Sequence, residues 1–245
     1  MTGTRKAFHE EITEMEDDVI RMGAMVIEAI GGAASSLLDG DLQAVERVIE
    51  NDKAIDDLTH SIEERCYLLL ARQQPMAIDL RTIVGVLRVI HELERAGDNM
   101  KSVAKASRRL YPHGLEPKMR GLIDRMRDQA TVQMRLAIDA FADRDPVRAT
   151  ALEDMDDVMD DLQKDLFRTI FAAAAIDDVS IHRAVQVTLI GRFFERTADH
   201  AVNIGDRVAY MVTGRFPEGP KGPAHLSGNG AQGSNGERAA DAPSS

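Results

Sequence analysis

Residues 42–72 read LQAVERVIENDKAIDDLTHSIEERCYLLLAR, and this stretch indicates the fold class. Its apolar side chains recur at helical spacing, at Leu42, Val45, Ile49, Ile55, Leu58 and Ile62. An α-helix turns once in 3.6 residues, so this spacing places them on one face. Similar patterns run from Leu80 to Ile90 and from Leu152 to Leu166. We therefore predict an all-α protein.

Prolines, glycines and capping residues divide the chain into six predicted helices. Asp41 and the Asp145-Pro146 pair are expected to begin the second and fifth helices as N-caps. The predicted helices cover about 6–38, 42–72, 76–110, 117–142, 146–176 and 178–213. From Arg215 onward Gly, Pro, Ser and Ala dominate, so residues 215–245 are predicted to be a disordered tail.

An internal repeat links the two halves of the helical part. Asp52–Leu58 aligns with Asp156–Leu162 at an offset of 104 residues, and Glu94–Asp98 aligns with Glu195–Asp199 at an offset of 101. Two blocks in the same order indicate duplication. We predict two tandem three-helix units at residues 1–111 and 115–214, joined near Tyr111–Pro117.

Composition excludes several classes of protein. The chain has 245 residues, with 41 acidic and 30 basic side chains and a net charge of −11, which argues against nucleic-acid binding. The single cysteine, Cys66, excludes an intramolecular disulfide. The N-terminus lacks a signal-peptide pattern, and apolar runs such as 169–176 are too short to cross a membrane. We expect a reduced, cytoplasmic protein without direct membrane insertion.

Paired acidic residues are the candidate functional groups. Each unit carries one Asp-x-x-x-Asp on its second helix and one Glu-Arg-x-x-Asp on its third, and these pairs lie close to the apolar stripe. The eight residues are Asp52, Asp56, Glu94, Asp98, Asp156, Asp160, Glu195 and Asp199. Carboxylates that face each other across packed helices repel unless a cation or a proton intervenes.

The spacing leaves two interpretations open. Four carboxylates on neighbouring helices suit Mg²⁺, Mn²⁺, Ca²⁺ or iron, and less typically zinc. Alternatively, Arg95 and Arg196 neutralise them as structural ion pairs. His200, which follows Asp199, is either an additional ligand or a surface histidine, and Asn203 and Asp206 are either outer ligands or solvated. The Glu-x-x-His pattern of di-iron bundles is absent, which argues against an oxidase.

At these motifs the sequence resembles the PhoU family of phosphate-transport regulators. The resemblance rests on Arg72-Gln73-Gln74-Pro75 with Asp79-Leu80-Arg81, on Glu92–Asp98, and on Phe194–Asp199 with Asn203-Ile204. It covers about residues 5–214. The second motif departs from the usual Glu-Arg-Ile-Gly-Asp because Thr197 and Ala198 replace the Ile-Gly pair.

The resemblance implies two three-helix bundles related by a pseudo-twofold axis. It further implies that the eight carboxylates above bind a multinuclear metal centre of iron or zinc, with manganese or magnesium as other candidates. It also implies negative regulation of phosphate uptake and phosphate-starvation signalling. The implied partners are the ATPase subunit of a phosphate ABC transporter and a membrane sensor histidine kinase, and we expect a homodimer.

Two functions of other classes are alternatives to this regulatory role. One is a carboxylate-bridged metalloenzyme acting on a phosphorylated substrate, which the lack of a separate nucleophile, general base or substrate-binding cluster disfavours. The other is a metal-free acidic scaffold that docks a basic partner. We predict that the protein is not an enzyme.

Overall fold

A computed structural model describes residues 2–73, 75–112, 114–173 and 178–215 of the chain. Six helices occupy these residues: α1 Thr2–Leu38, α2 Leu42–Gln73, α3 Ile78–Leu110, α4 Pro117–Asp143, α5 Pro146–Ala173 and α6 Asp178–Thr213. The all-α prediction is confirmed, and the helix boundaries lie within a few residues of those expected. The predicted tail beyond Arg215, Asp177 in the last turn and His113 in the joint lie outside the described residues.

Local signals in the sequence account for where helices begin and end. The Oδ1 atom of Asp41 accepts hydrogen bonds from the backbone N–H groups of Gln43 and Ala44, at 2.9 and 3.1 Å. Oδ1 of Asp145 does the same for Val147 and Arg148, at 2.9 and 3.2 Å. Both aspartates therefore satisfy N–H groups that the helix itself cannot pair, as predicted.

The helices form two three-helix units that pack against each other. In the first unit α1, α2 and α3 contact one another, and in the second α4, α5 and α6 do so. Helix α3 packs on α6, and α1 packs on α4, so equivalent helices of the two units meet. Within the described chain, α2 contacts only α1 and α3, and α5 contacts only α4 and α6. These two helices are therefore the outer ones.

The internal repeat is visible in equivalent hydrogen bonds. In the first unit Nδ2 of Asn51 on α2 donates to the backbone oxygen of Met25 on α1, at 3.0 Å. At an offset of 104 residues, Nε2 of Gln129 on α4 donates to the backbone oxygen of Met155 on α5, at 2.8 Å. The donor has moved to the other helix, but the same two positions are joined. The packing geometry has therefore been kept while the side chains have changed.

The core consists of aliphatic and methionine side chains, because the chain has no tryptophan and few aromatic residues. Met15, Met22, Met100 and Met126 are fully buried, and Cys66 is a buried core residue as expected. Burial raises the pKa of the Cys66 thiol to about 12, so the residue stays a neutral thiol.

Helix α1 contains, within residues 5–38, a stretch that is long and apolar enough to cross a membrane. Half of that stretch is buried inside the fold. Met15, Val19 and Val26 of this helix are fully buried, and α1 packs against α2, α3 and α4. The apolar character of α1 is therefore that of the central helix of a bundle.

Candidate functional site

The eight predicted carboxylates lie in two clusters, each between an outer helix and a central helix. The first carboxylate cluster comprises Asp52 and Asp56 on α2 with Glu94 and Asp98 on α3. The second carboxylate cluster comprises Asp156 and Asp160 on α5 with Glu195 and Asp199 on α6. Tertiary packing thus brings residues about 40 positions apart in sequence to one surface in each unit.

Close helix packing places the first cluster. An added Cβ at Gly97 on α3 would lie only 3.2 Å from Cδ1 of Ile55 and 4.0 Å from Oδ1 of Asp52. Glycine therefore lets α2 approach α3 directly beside the motif. The corresponding residue in the second unit is Ala198, which is fully buried.

The carboxylates differ sharply in their exposure to solvent. Asp52, Asp156 and Glu195 are buried, with exposed fractions of 3%, 5% and 6%. The remaining members are half-buried, except Asp98, which is exposed. Each cluster thus has a buried inner part and an accessible outer part, and a cation can approach the outer part from solvent.

Mutual repulsion is present in the first cluster. Burial raises the pKa of Asp56, and the negative charges of Asp52 and Asp98 raise it further. Burial likewise raises the pKa of Glu94, with Asp98 and Asp56 adding to the effect. Residues of α2 and α3 therefore act on each other electrostatically, as carboxylates sharing one site do.

A lysine of the same unit contacts the first cluster. Nζ of Lys101 contacts Oδ2 of the buried Asp52, and it also donates a hydrogen bond to Oδ1 of Asp98 at 3.2 Å. The bond to Asp52 raises the pKa of Lys101, so the ammonium stays charged. This contact joins α2 and α3 through a cation that belongs to the protein.

The second cluster centres on Glu195. Its Oε1 accepts a hydrogen bond from Nη1 of Arg192 on the same helix. Its Oε2 is buried and has no hydrogen-bond partner in the described part of the chain. Burial, with the charges of Asp199, Asp160 and Asp156, raises the pKa of Glu195 to about 7, although Arg192 opposes the shift.

The donor chemistry fits a hard cation, although the side chains are not gathered around one. All eight donors are carboxylates, and the unpartnered Oε2 of Glu195 is a buried oxygen that a cation would satisfy. As the side chains stand, no group of three Asp, Glu, His or Cys residues within the described ranges is close enough to hold one metal ion. Binding at either cluster would therefore require side-chain rearrangement.

The alternative of neutralisation by Arg95 and Arg196 is supported only by a longer-range effect, because the charge of Arg95 opposes the rise in the pKa of Glu94. Both arginines are exposed, and neither makes an ion pair with a cluster carboxylate in the described structure. The cations in contact are Lys101 and Arg192, which the motif did not point to. Lys101 lies three residues after Asp98, so helical periodicity alone placed it on the same face.

His200 is not a surface residue, because only 7% of it is exposed. Its Nδ1 lies 2.8 Å from Oε2 of Glu92 on α3, and Nδ2 of Asn203 donates to the same oxygen at 3.2 Å. Burial opposes ionisation of Glu92, but these bonds and the charges of His200 and Arg207 outweigh it and lower the pKa of Glu92. The group joins the two three-helix units across the α3–α6 contact.

The geometry defines a class of protein: a duplicated helical bundle with one carboxylate cluster in each repeat. The family model described as "PhoU domain" matches residues 19–107 and again residues 123–208. The chain therefore belongs to the PhoU family.

Known relatives agree with this assignment. The chain is 36% identical over 214 residues to the phosphate-specific transport system accessory protein PhoU homolog 2 of Mycobacterium tuberculosis, covering 87% of this chain and 100% of the relative. It is 30% identical over 215 residues to the PhoU homolog of Rhizobium meliloti, covering 88% of this chain and 91% of that protein.

Solved structures show the same fold. The crystal structure of PhoU from Pseudomonas aeruginosa superimposes with a TM-score of 0.80 at 30% identity, covering 85% of this chain and 100% of that one. The crystal structure of PhoU from Streptococcus pneumoniae, named a phosphate transport system regulatory protein, superimposes with a TM-score of 0.78 at 28% identity. It covers 86% of this chain and 99% of that one. These names describe accessory and regulatory proteins, in agreement with the prediction that the chain is not an enzyme.

Proposed function

We propose that this phosphate-transport accessory protein is a cytoplasmic negative regulator that acts as a metal-binding helical adaptor. It would couple the ATPase subunit of a phosphate ABC transporter to a membrane sensor histidine kinase. The names of its relatives support the link to phosphate transport. The buried Oε2 of Glu195, which has no hydrogen-bond partner among the described residues, is the observation that supports the metal-binding part.

At the second cluster, Asp156, Asp160, Glu195 and Asp199 would hold the cation. A bound cation would supply positive charge to carboxylates that otherwise repel one another. Oxygen-only ligands favour iron, manganese or magnesium, with zinc as the other family-implied metal. In this role the metal fixes α5 against α6 and thereby the shape of the surface that partners meet.

Exposed apolar side chains at repeat-equivalent positions support the adaptor role. Tyr67 on α2 and Phe171 on α5 are separated by 104 residues and have exposed fractions of 55% and 81%. Leu80 and Val84 on α3 correspond to the exposed Ile181 and Val185 on α6. Repeated exposed apolar stripes are typical of protein-binding surfaces. Since α3 and α6 belong to different units, the chain would offer two such surfaces to the transporter ATPase.

Metal analysis tests the first part of the proposal. Neutralising Glu94 and Asp98 to Gln and Asn should abolish metal at the first cluster and spare the second, and the matching change at Glu195 and Asp199 should do the reverse. A cation present at about 100 times its Kd stabilises the native state by about 2.7 kcal/mol, so chelator should lower the melting temperature of the parent protein. A protein that takes up no iron, manganese, magnesium or zinc and melts identically with chelator would be a metal-free scaffold.

Binding to the transporter ATPase tests the second part. Replacing Phe171 by Ser should weaken capture of the chain by the purified ATPase subunit. Replacing Val132 by Ser, on the exposed face of α4, is the matched control because Val132 is also apolar and 51% exposed. Equal capture of both variants would place the docking surface elsewhere. In cells, deleting the gene should switch on phosphate-starvation genes in phosphate-rich medium.

Size-exclusion chromatography with light scattering tests the proposed homodimer. A mass near twice the chain's 27.0 kDa supports it, and a mass near that of one chain contradicts it.

A further inference from the structure

The two carboxylate clusters differ at one repeat-equivalent position on the central helices. In the first unit this position is Lys101, whose ammonium contacts Asp52 and Asp98. At the same offset of 101 residues that aligns Glu94 with Glu195, the second unit has Val202, which is half-buried on α6. One cluster therefore carries a cation on its own helix at a position where the other carries an aliphatic side chain.

The ammonium of Lys101 occupies oxygens that a metal would need. Asp52 is 3% exposed, so its carboxylate cannot turn toward solvent without reopening the α2–α3 contact. Lys101 has a flexible stem and a side chain that is 25% exposed, so the lysine is the group able to move away. Metal binding at the first cluster would thus require the loss of a charged contact to a buried carboxylate.

The arginine at the second cluster contacts Oε1 of Glu195. Arg192 donates to Oε1 of Glu195 from three residues earlier on the same helix, and its own side chain is 53% exposed. Oε2 of Glu195 stays without a hydrogen-bond partner within the described ranges. The Arg192–Glu195 ion pair therefore lies within α6, whereas the Lys101–Asp52 contact joins α3 to α2.

We propose that Lys101 is a built-in cation of the first carboxylate cluster, so that the two clusters bind divalent cations unequally and the second is loaded first. This inference rests on the proposed metal-binding function and specifies which half of the protein responds to metal. The first cluster would keep its Lys101 contact between α2 and α3 until a divalent cation displaces the ammonium. The chain would then respond to cations over two separate concentration ranges.

The test uses Mn²⁺, a cation that accepts oxygen ligands, in isothermal titration calorimetry of the full chain. The E195Q/D199N background isolates the first cluster, and the E94Q/D98N background isolates the second. Lys101→Val gives the first cluster the side chain of its repeat counterpart, and Val202→Lys makes the reverse change. Lys53→Val is the matched control, because Lys53 adjoins Asp52 but is exposed and makes no ion pair in the described structure.

Lys101→Val should tighten Mn²⁺ binding at the first cluster by about tenfold or more, since hydrogen bonds between charged groups contribute enough for that change. Val202→Lys should weaken the second cluster by a similar factor, while Lys53→Val should change Kd less than about threefold, the effect of an exposed charge. Circular dichroism checks folding, and Lys101→Met is the substitute if the valine variant does not fold.

Equal affinities of the two clusters, with no change on removing Lys101, would overturn the inference and leave metal binding intact. Absence of Mn²⁺ binding in every variant, including Lys101→Val, would instead contradict the metal-binding proposal and this inference with it. The two failures are therefore distinguishable.

Discussion

Replacing Glu195 by Gln should stabilise the metal-free protein at pH 8 and leave its stability almost unchanged at pH 4. The folded-state pKa of Glu195 is about 7, above the usual 4.5, so the native state holds this proton more tightly than the unfolded chain. Native stability from this group is fully present below pH 4.5 and is lost as pH rises toward 7. Glutamine keeps the size and neutrality of the protonated acid at every pH.

The magnitude follows from the size of the shift. One pKa unit corresponds to 1.36 kcal/mol, so a rise from 4.5 to about 7 corresponds to on the order of 3 kcal/mol above pH 7. For a chain of this length that is roughly 6–12 °C in melting temperature, taking about 2–4 °C per kcal/mol.

Thermal and urea unfolding with chelator, at pH 4, 7 and 8, would measure the effect. Glu64→Gln is the control, because Glu64 is exposed on α2 and its change should stay within about 0.5 kcal/mol at each pH. A difference between Glu195→Gln and the parent that does not change with pH would refute the reasoning. With excess Mn²⁺ the order should reverse, because the variant lacks a proposed ligand.

Two further changes test the packing that positions the site. Gly205→Ala should destabilise the protein by about 1–3 kcal/mol in urea unfolding, because its Cβ would lie 2.6 Å from the backbone oxygen of Ala149. Gly31→Ala is the control, because no atom lies within 4 Å of the added Cβ, and it should stabilise the protein by up to about 1 kcal/mol. Equal changes in the free energy of unfolding for the two glycine variants would contradict this account. Glu92→Ala should cost about 1–3 kcal/mol because Nδ1 of the buried His200 loses its acceptor. A loss below about 0.5 kcal/mol would show that the pair contributes little to joining the two units.

Helix positions were predictable because their signals are local. Asp41 and Asp145 begin α2 and α5 as N-caps, and each bonds to backbone N–H groups two and three residues later. Gly40 has a φ of 67°, which glycine adopts easily and which lets the chain leave α1. Such features depend on neighbours within one turn, so the sequence is enough to find them.

The membership of the two clusters was also predictable, because the repeat marks the same positions twice. Asp52 and Asp156 are equivalent in sequence, and both are buried between an outer and a central helix. Helical spacing places Lys101 on the same face of α3 as Asp98, but its contact with Asp52 on α2 was not predictable. One of the two interpretations of the motif named Arg95, whereas Lys101 makes the contact with Asp52, because the packing of α3 leaves Arg95 exposed to solvent.

The sequence by itself determined the six helices, the duplication and the eight carboxylates, since these follow from periodicity, caps and repeated motifs. Only the tertiary structure decided that His200 is buried against Glu92 and that one oxygen of Glu195 has no hydrogen-bond partner in the described part of the chain. It also revealed the difference between Lys101 and Val202 at the two clusters. The physical reason is that burial and pairing depend on which helices meet and at what rotation. Those contacts join residues as far apart as Glu92 and His200, beyond the reach of any local pattern.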